Sequence, residues 1–128
     1  MAALIDTHTF LWWCVGDSRL SLRAKAIIEE EPGQVFLSVI SAWEIIIKAM
    51  RGRLVLPEDP QPFIASRMAL GMLTILPVEL RHAMHVANLP LLHHDPFDRM
   101  LIAQSVVEHL PLVTADEAIR QYELDIVW

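Results

Sequence analysis

Four acidic residues, Asp6, Glu44, Asp98 and Asp116, carry the chemistry this sequence offers. Asp98 lies in the stretch His93-His94-Asp95-Pro96-Phe97-Asp98-Arg99. Asp95 before Pro96 has the form of an N-cap followed by proline at the first helical position, so a helix is expected to run to about His109. On that helix Asp98 shares a face with Leu101, Ile102 and Ser105, at spacings of three, four and seven, and so heads the stripe that faces the interior. A carboxylate drawn inward is costly unless something pairs with it, and a bound cation is one such partner. Taken alone, Asp98 could equally sit in the favourable field of the helix N-terminus and lean into water.

The other three acids fall at comparable places. The apolar segment Met1 to Ile5 reads as a buried parallel strand with Asp6 at its carboxyl end. Thr7-His8-Thr9 offers caps for a helix through Phe10 to Trp13, Gly16-Asp17-Ser18 breaks it, and a second helix is expected from about Leu20 to Glu30. Val35 to Leu37 is a second strand. Ser41-x-x-Glu44 fits a capping box for a helix from about Ala42 to Arg51, which gives Glu44 an ordinary explanation as well as a chemical one. Leu56 to Pro62 reads as a linker, followed by a helix from about Phe63 to Leu70 and a strand Leu73 to Leu76. A helix opened by Pro77-Val78-Glu79 carries His82 and His85 to about Ala87. After the Asp95 to His109 helix come a strand through Leu112-Val113, a short helix to Tyr122 boxed by Thr114 and Glu117, and a last strand through Ile126 to Trp128.

Strands alternating with helices of this length imply an α/β fold of three layers, helix on sheet on helix, around a central parallel β-sheet of four to five strands. Ligands of such sheets bind outside the carboxyl ends of the strands, where the following helices begin. Asp6, Glu44, Asp98 and Asp116 all belong to that edge. Clustered carboxylates repel one another and are stable only when protonated or metal-bound, and oxygen-only ligation suits hard Mg²⁺, with Mn²⁺ able to substitute. One or two such ions, a pair being about 4 Å apart, would serve phosphodiester hydrolysis.

Composition bounds the rest. The 128 residues, 54% of them hydrophobic, fit one domain spanning 1–128. The positive mean hydropathy suggests a homo-oligomer, and no apolar run approaches a membrane span, so a cytoplasmic protein is expected. Cys14 is the one cysteine and reads as a buried structural thiol. A net charge of −6 is not that of a protein that holds nucleic acid by charge alone. Metal ions and a local basic patch, with Lys48, Arg51 and Arg53 at one helix end, would have to help.

The segments Leu4-Ile5-Asp6-Thr7-His8, Ser41-Ala42-Trp43-Glu44, Asp95 through Gln104, and Val113-Thr114-Ala115-Asp116 resemble the PIN-domain family, and within it the VapC-type toxins of bacterial type II toxin–antitoxin systems. The resemblance spans essentially the whole chain. It implies a PIN-like fold and a Mg²⁺-dependent endoribonuclease, dimeric and inhibited by a small VapB-type antitoxin over the acidic pocket. It carries the family's four acids onto Asp6, Glu44, Asp98 and Asp116, with Thr7 or Thr114 holding them in place. Asp95 can be a ligand or only a helix cap, and Arg99 can pair with an acid, touch phosphate or face solvent. His8 stands where the family often has a small Ser or Asn.

Other chemistries fit less well. An aspartate-nucleophile phosphatase needs a second Asp two residues beyond Asp6, where His8 stands. A zinc hydrolase built on His82, His85, His93 and His94 lacks a familiar spacing, and His82 and His85 fit an exposed helix face. The alternative from another class is a non-catalytic PIN-like module that binds RNA or protein.

Overall fold

The computed structural model describes residues 1–128. Five short parallel strands form one sheet: β1 (Ala3–Ile5), β2 (Val35–Ser38), β3 (Leu73–Leu76), β4 (Leu112–Val113) and β5 (Ile126–Val127), in the order β3-β2-β1-β4-β5. Six α-helices accompany them: α1 (Thr7–Val15), α2 (Leu22–Glu30), α3 (Val39–Met50), α4 (Pro60–Met68), α5 (Leu80–His85) and α6 (Pro96–Glu108). The α/β parallel-sheet architecture read from the sequence is the one observed.

Alternation along the strands separates the core into two faces. Ala3 and Ile5 of β1 join Val35, Leu37, Phe10, Ala24, Ile28 and Phe63 on one side, whereas Leu4 joins Leu112, Leu101, Ile102 and Ile119 on the other. All of these are essentially inaccessible to solvent. Helices α1, α2 and α4 contribute to the first face and α6 to the second, giving the expected helix-sheet-helix layering.

The strand order reverses between β1 and β4, because the chain builds outward through β2 and β3 and then returns to the other side of β1. In doubly wound sheets this is where a crevice opens at the carboxyl edge. Register places Ile5 beside Val113, so the residues that follow, Asp6 and Thr114, are neighbours at the mouth of that crevice.

Several boundaries differ from those read in the sequence. Helix α3 begins at Val39 with Ser38 as its N-cap, three residues earlier than expected, because the Ser38 hydroxyl accepts from the Ile40 N–H at 3.1 Å. Ser41 and Glu44 therefore lie within the helix, and the capping box does not form. The segment Leu56 to Pro62 is only partly a linker: α4 starts at Pro60, with Asp59 before it and proline in its first turn. Ile45 is buried in the molecule's own core, and the exposed apolar residues of α3 are Val39, Trp43 and Met50. Cys14 is half-buried, and burial pushes its thiol up to about 12, which leaves it an unreactive thiol as expected. No helix is long and apolar enough to cross a membrane.

Candidate metal centre at the carboxyl edge of the sheet

Asp6 leaves β1 and caps α1, its Oδ1 accepting from the Thr9 N–H at 2.8 Å. Its other oxygen, Oδ2, accepts from the Thr114 hydroxyl, which reaches across from the end of β4. Thr9 closes the same corner by donating its hydroxyl to the Val113 carbonyl at 3.1 Å. Asp6 is 4% exposed, and burial raises its pKa against the lowering effect of these hydrogen bonds.

Asp116 follows from the same strand end. Its backbone N–H donates to Thr114 Oγ1 at 3.0 Å, and its Oδ1 accepts from the Ala118 N–H at 2.8 Å. The expected Thr114–Glu117 capping box is absent because the Thr114 side chain is committed to Asp6. Only a 3₁₀ turn, Ile119–Gln121, follows where a short helix was expected, and Asp116 stands before it, outside any helix.

Glu44 is the sixth residue of α3, not a first-turn residue, and is 3% exposed. Such burial of a carboxylate requires partners. Thr7 Oγ1 donates to its Oε1 at 2.7 Å, and Lys48, one turn along the same helix, donates to Oε2. The Ser41 hydroxyl lies 3.0 Å from Thr7 Oγ1 and completes this contact. Lys48 is thereby withdrawn from the basic patch read in the sequence, and Arg51 and Arg53 remain exposed.

Asp95 caps α6, its Oδ1 accepting from the N–H groups of Phe97 and Asp98 at 2.9 and 3.0 Å. Asp98 then heads the buried stripe of Leu101, Ile102 and Ser105, as its spacing predicts. Burial pushes its carboxyl up to about 8, and the charges of Asp95, Asp116, Glu44 and Asp6 each push the same way. The other three predicted acids are therefore within electrostatic reach of Asp98, although no three of the four bring carboxylate oxygens within 4.8 Å.

The sequence reading missed the support of Asp98. His93 Nε2 lies 3.2 Å from Asp98 Oδ2, its Nδ1 lies 2.7 Å from the Tyr122 hydroxyl, and Arg99 donates to that hydroxyl at 2.9 Å. The partners fix the roles: Tyr122 accepts from Arg99 and donates to Nδ1, so Nε2 carries the proton and donates to Asp98. Arg99 also donates to the Pro90 carbonyl at 2.9 Å, and so it neither faces free solvent nor pairs with an acid. No spacing in the sequence announces the contacts to Tyr122. The Glu44–Lys48 pair, by contrast, has the ordinary i,i+4 signal.

A second cluster does converge within 4.8 Å: Glu79, His82 and Glu108. His82 is fully buried, contrary to the exposed helix face expected for it, because α5 packs on α6. Its Nδ1 accepts the Glu79 N–H at 3.0 Å, which leaves Nε2 protonated and donating to Glu108 at 3.0 Å. Neither ring nitrogen offers a free lone pair to a metal, and Arg81 pairs with both Glu79 and Glu108. The four-acid edge has the opposite balance. Its donor set is all oxygen, its charge is matched at Glu44 alone, and the raised Asp98 carboxyl is the response expected of a hard-cation site; the residues fit a divalent ion of the Mg²⁺ type.

Comparison with known proteins gives the same frame. The PIN domain family model matches residues 3–124. Among solved structures, VapBC2 from Rickettsia felis bound to a DNA fragment from its promoter aligns with a TM-score of 0.74 at 13% identity, covering 99% of this chain and 98% of that one. DNA-bound VapBC from Salmonella typhimurium aligns with a TM-score of 0.73 at 16% identity, over 99% and 98%. FitAcB from Neisseria gonorrhoeae aligns at 0.68 and 17% identity, over 98% and 96%. No curated protein matches the chain by sequence.

Proposed function

The chain belongs to the PIN-domain family, and from that premise we propose that it is a Mg²⁺-dependent endoribonuclease, the toxin of a type II toxin–antitoxin pair, hydrolysing RNA phosphodiester bonds. The observation that carries the reading is the accumulation of like charge from four neighbouring acids on the largely buried carboxyl of Asp98. A fold has no structural use for that repulsion, whereas a bound cation relieves it.

Asp6, Asp98 and Asp116 would hold the ion, with Glu44 assisting. When bound, a divalent ion supplies a Lewis acid that lowers the pKa of water and neutralises charge developing on the phosphate. The chain's own part is orientation. Thr114 and the Thr9 amide fix the two oxygens of Asp6, Thr7 and Lys48 fix those of Glu44, and His93 holds one oxygen of Asp98. Burial and like charge push the Asp98 carboxyl up to about 8, and a bound cation would favour its ionised form.

The choice of RNA rests on the resemblance to VapC-type toxins. The toxin–antitoxin complexes among the structural neighbours support a VapB-type antitoxin partner, and the exposed apolar residues Val39, Trp43 and Met50 on α3 support a homodimer. A cytoplasmic location and a single domain over 1–128 accord with this reading.

The test is cleavage of a panel of structured RNAs by the purified chain with Mg²⁺, with EDTA, and by Asp98→Asn of unaltered fold. Cleavage that is lost under both EDTA and the substitution supports the nuclease. RNA that is bound but left intact in Mg²⁺ and Mn²⁺ overturns it in favour of a binding module.

A further inference from the structure

Beside the acids, and outside any role given to them, lies a group of flat side chains. Asp6 and Asp116 form one side of a cavity of about 190 Å³ whose other walls are His8, Trp12, Arg19 and Ala115. The backbone builds this juxtaposition. His8 and Trp12 are one turn apart on α1, and their rings lie 5.9 Å apart at 35°. Helix α1 ends at Gly16, whose φ of 66° is left-handed, and the Asp17 N–H returns to the Trp12 carbonyl at 2.9 Å. That reversal brings Arg19 back over Trp12, its guanidinium carbon 5.0 Å from the ring centre.

Arg19 is also held by Asp17, which accepts from Nε at 3.0 Å and from Nη2 at 2.8 Å. The guanidinium is thus fixed in place with its charge matched, so it offers a flat face more than a free cation. Trp128 packs against Trp12 with ring centres 5.8 Å apart at 65°. His8 is exposed, and the Arg19 side chain is 68% exposed. His8 and Arg19 keep exposed faces beside a half-buried tryptophan, and a cavity of this volume takes about one ring system.

We propose that His8, Trp12 and Arg19 form a base-stacking shelf that holds one nucleobase of a single-stranded RNA next to the phosphate presented to the four acids. This rests on the nuclease reading above and adds to it the side chains that would hold a base beside the acids. In a chain of net charge −6, sequence-tolerant stacking supplies affinity that charge does not. A duplex keeps its bases stacked on each other and cannot use the shelf.

The test measures fluorescence anisotropy of a labelled mixed-sequence single-stranded 20-mer RNA, its duplex, and a ribose-phosphate 20-mer lacking bases. All are titrated in Mg²⁺ with the full chain carrying Asp98→Asn, so that no strand is cut. The single strand is expected to bind about tenfold tighter than the base-free strand. Trp12→Ala should erase that difference and Trp12→Phe should keep most of it. His8→Ala, at an exposed position that the fold does not need, should reduce it in part and keeps the test open if Trp12→Ala fails to fold. Equal binding of the three strands, or full affinity in folded Trp12→Ala and His8→Ala, overturns the shelf and points to a protein partner on this face. Cleavage by the unsubstituted chain separates the two failures. If it cuts RNA and Trp12→Ala cuts with unchanged KM, the shelf alone is wrong. If it neither cuts nor binds any strand, the nuclease reading fails and takes the shelf with it.

Discussion

Around His82, the carboxylates of Glu79 and Glu108 meet Arg81 and an imidazole whose two nitrogens are both engaged, while around Asp98 four further acids meet one lysine, and that lysine belongs to Glu44. The residue types are nearly the same in the two regions. The first cluster is tighter, with its ligand atoms within 4.8 Å, yet it is the quieter one chemically. Arg81 holds the Glu79 carboxyl below its usual range, whereas burial and like charge drive the Asp98 carboxyl the other way, to about 8. Charge balance, more than proximity, separates a cluster that joins α5 to α6 from one suited to a cation.

The contrast can be broken at its strongest point by Asp98→Asn. Loss of one carboxylate from the acid edge should lower cleavage by about 10²- to 10⁴-fold, the range that several kcal/mol of transition-state stabilisation represents. The same substitution should raise the melting temperature in EDTA, because it removes a group whose ionised form the fold disfavours. Both are read from one preparation, by cleavage rate and thermal unfolding.

Thr114→Val and Lys48→Met test the groups that hold Asp6 and Glu44. Each should cost about 10- to 100-fold in Mg²⁺ affinity or activity, as losing an outer partner of a metal ligand does. Titration of cleavage against Mg²⁺ should show the loss as a higher metal requirement, with much of the rate recovered at high Mg²⁺.

A third expectation concerns pH. Asp98 and Asp6 bind protons more tightly in the folded chain than in the unfolded one, where an aspartate titrates near 3.8. Their contribution to stability is therefore greatest in acid and is lost as pH rises from about 4 towards 8. Unfolding measured in EDTA across that window should show the decline, and added Mg²⁺ should flatten it by replacing the proton.

The smallest effect on cleavage is expected from Glu108→Gln in the balanced cluster. It leaves Arg81 and buried His82 without their shared anion, so the melting temperature should fall by a few degrees while cleavage stays at its original rate. A large loss of cleavage here would erase the distinction between the two clusters.

Much of this molecule follows from local pattern. Apolar strands bounded by caps and turns, the Asp95-Pro96 helix start and the inward stripe from Asp98 through Leu101, Ile102 and Ser105 all depend on spacing within one element, and the structure keeps them. The sequence also places Asp6 at a strand's end, because a strand's end is a local event, whereas the helical turn expected to carry Asp116 does not form.

What tertiary structure alone decided is how these elements use one another's side chains. Ser41–Glu44 and Thr114–Glu117 have the spacing of capping boxes, but Glu44 turns to Thr7, and Thr114 turns to Asp6. A buried carboxylate gains more from a hydroxyl or ammonium brought by another turn or strand than a helix gains from its optional cap. His93, Tyr122 and Arg99 were equally hidden, since their contacts join a loop, the end of a 3₁₀ turn and a helix that meet only when the sheet is assembled. His82 looked exposed because its helix is short and polar, and only the packing of α5 on α6 buries it. Spacing within an element is written in the chain, but partners more than a turn away are chosen by the strand order β3-β2-β1-β4-β5 and the register that sets Ile5 beside Val113.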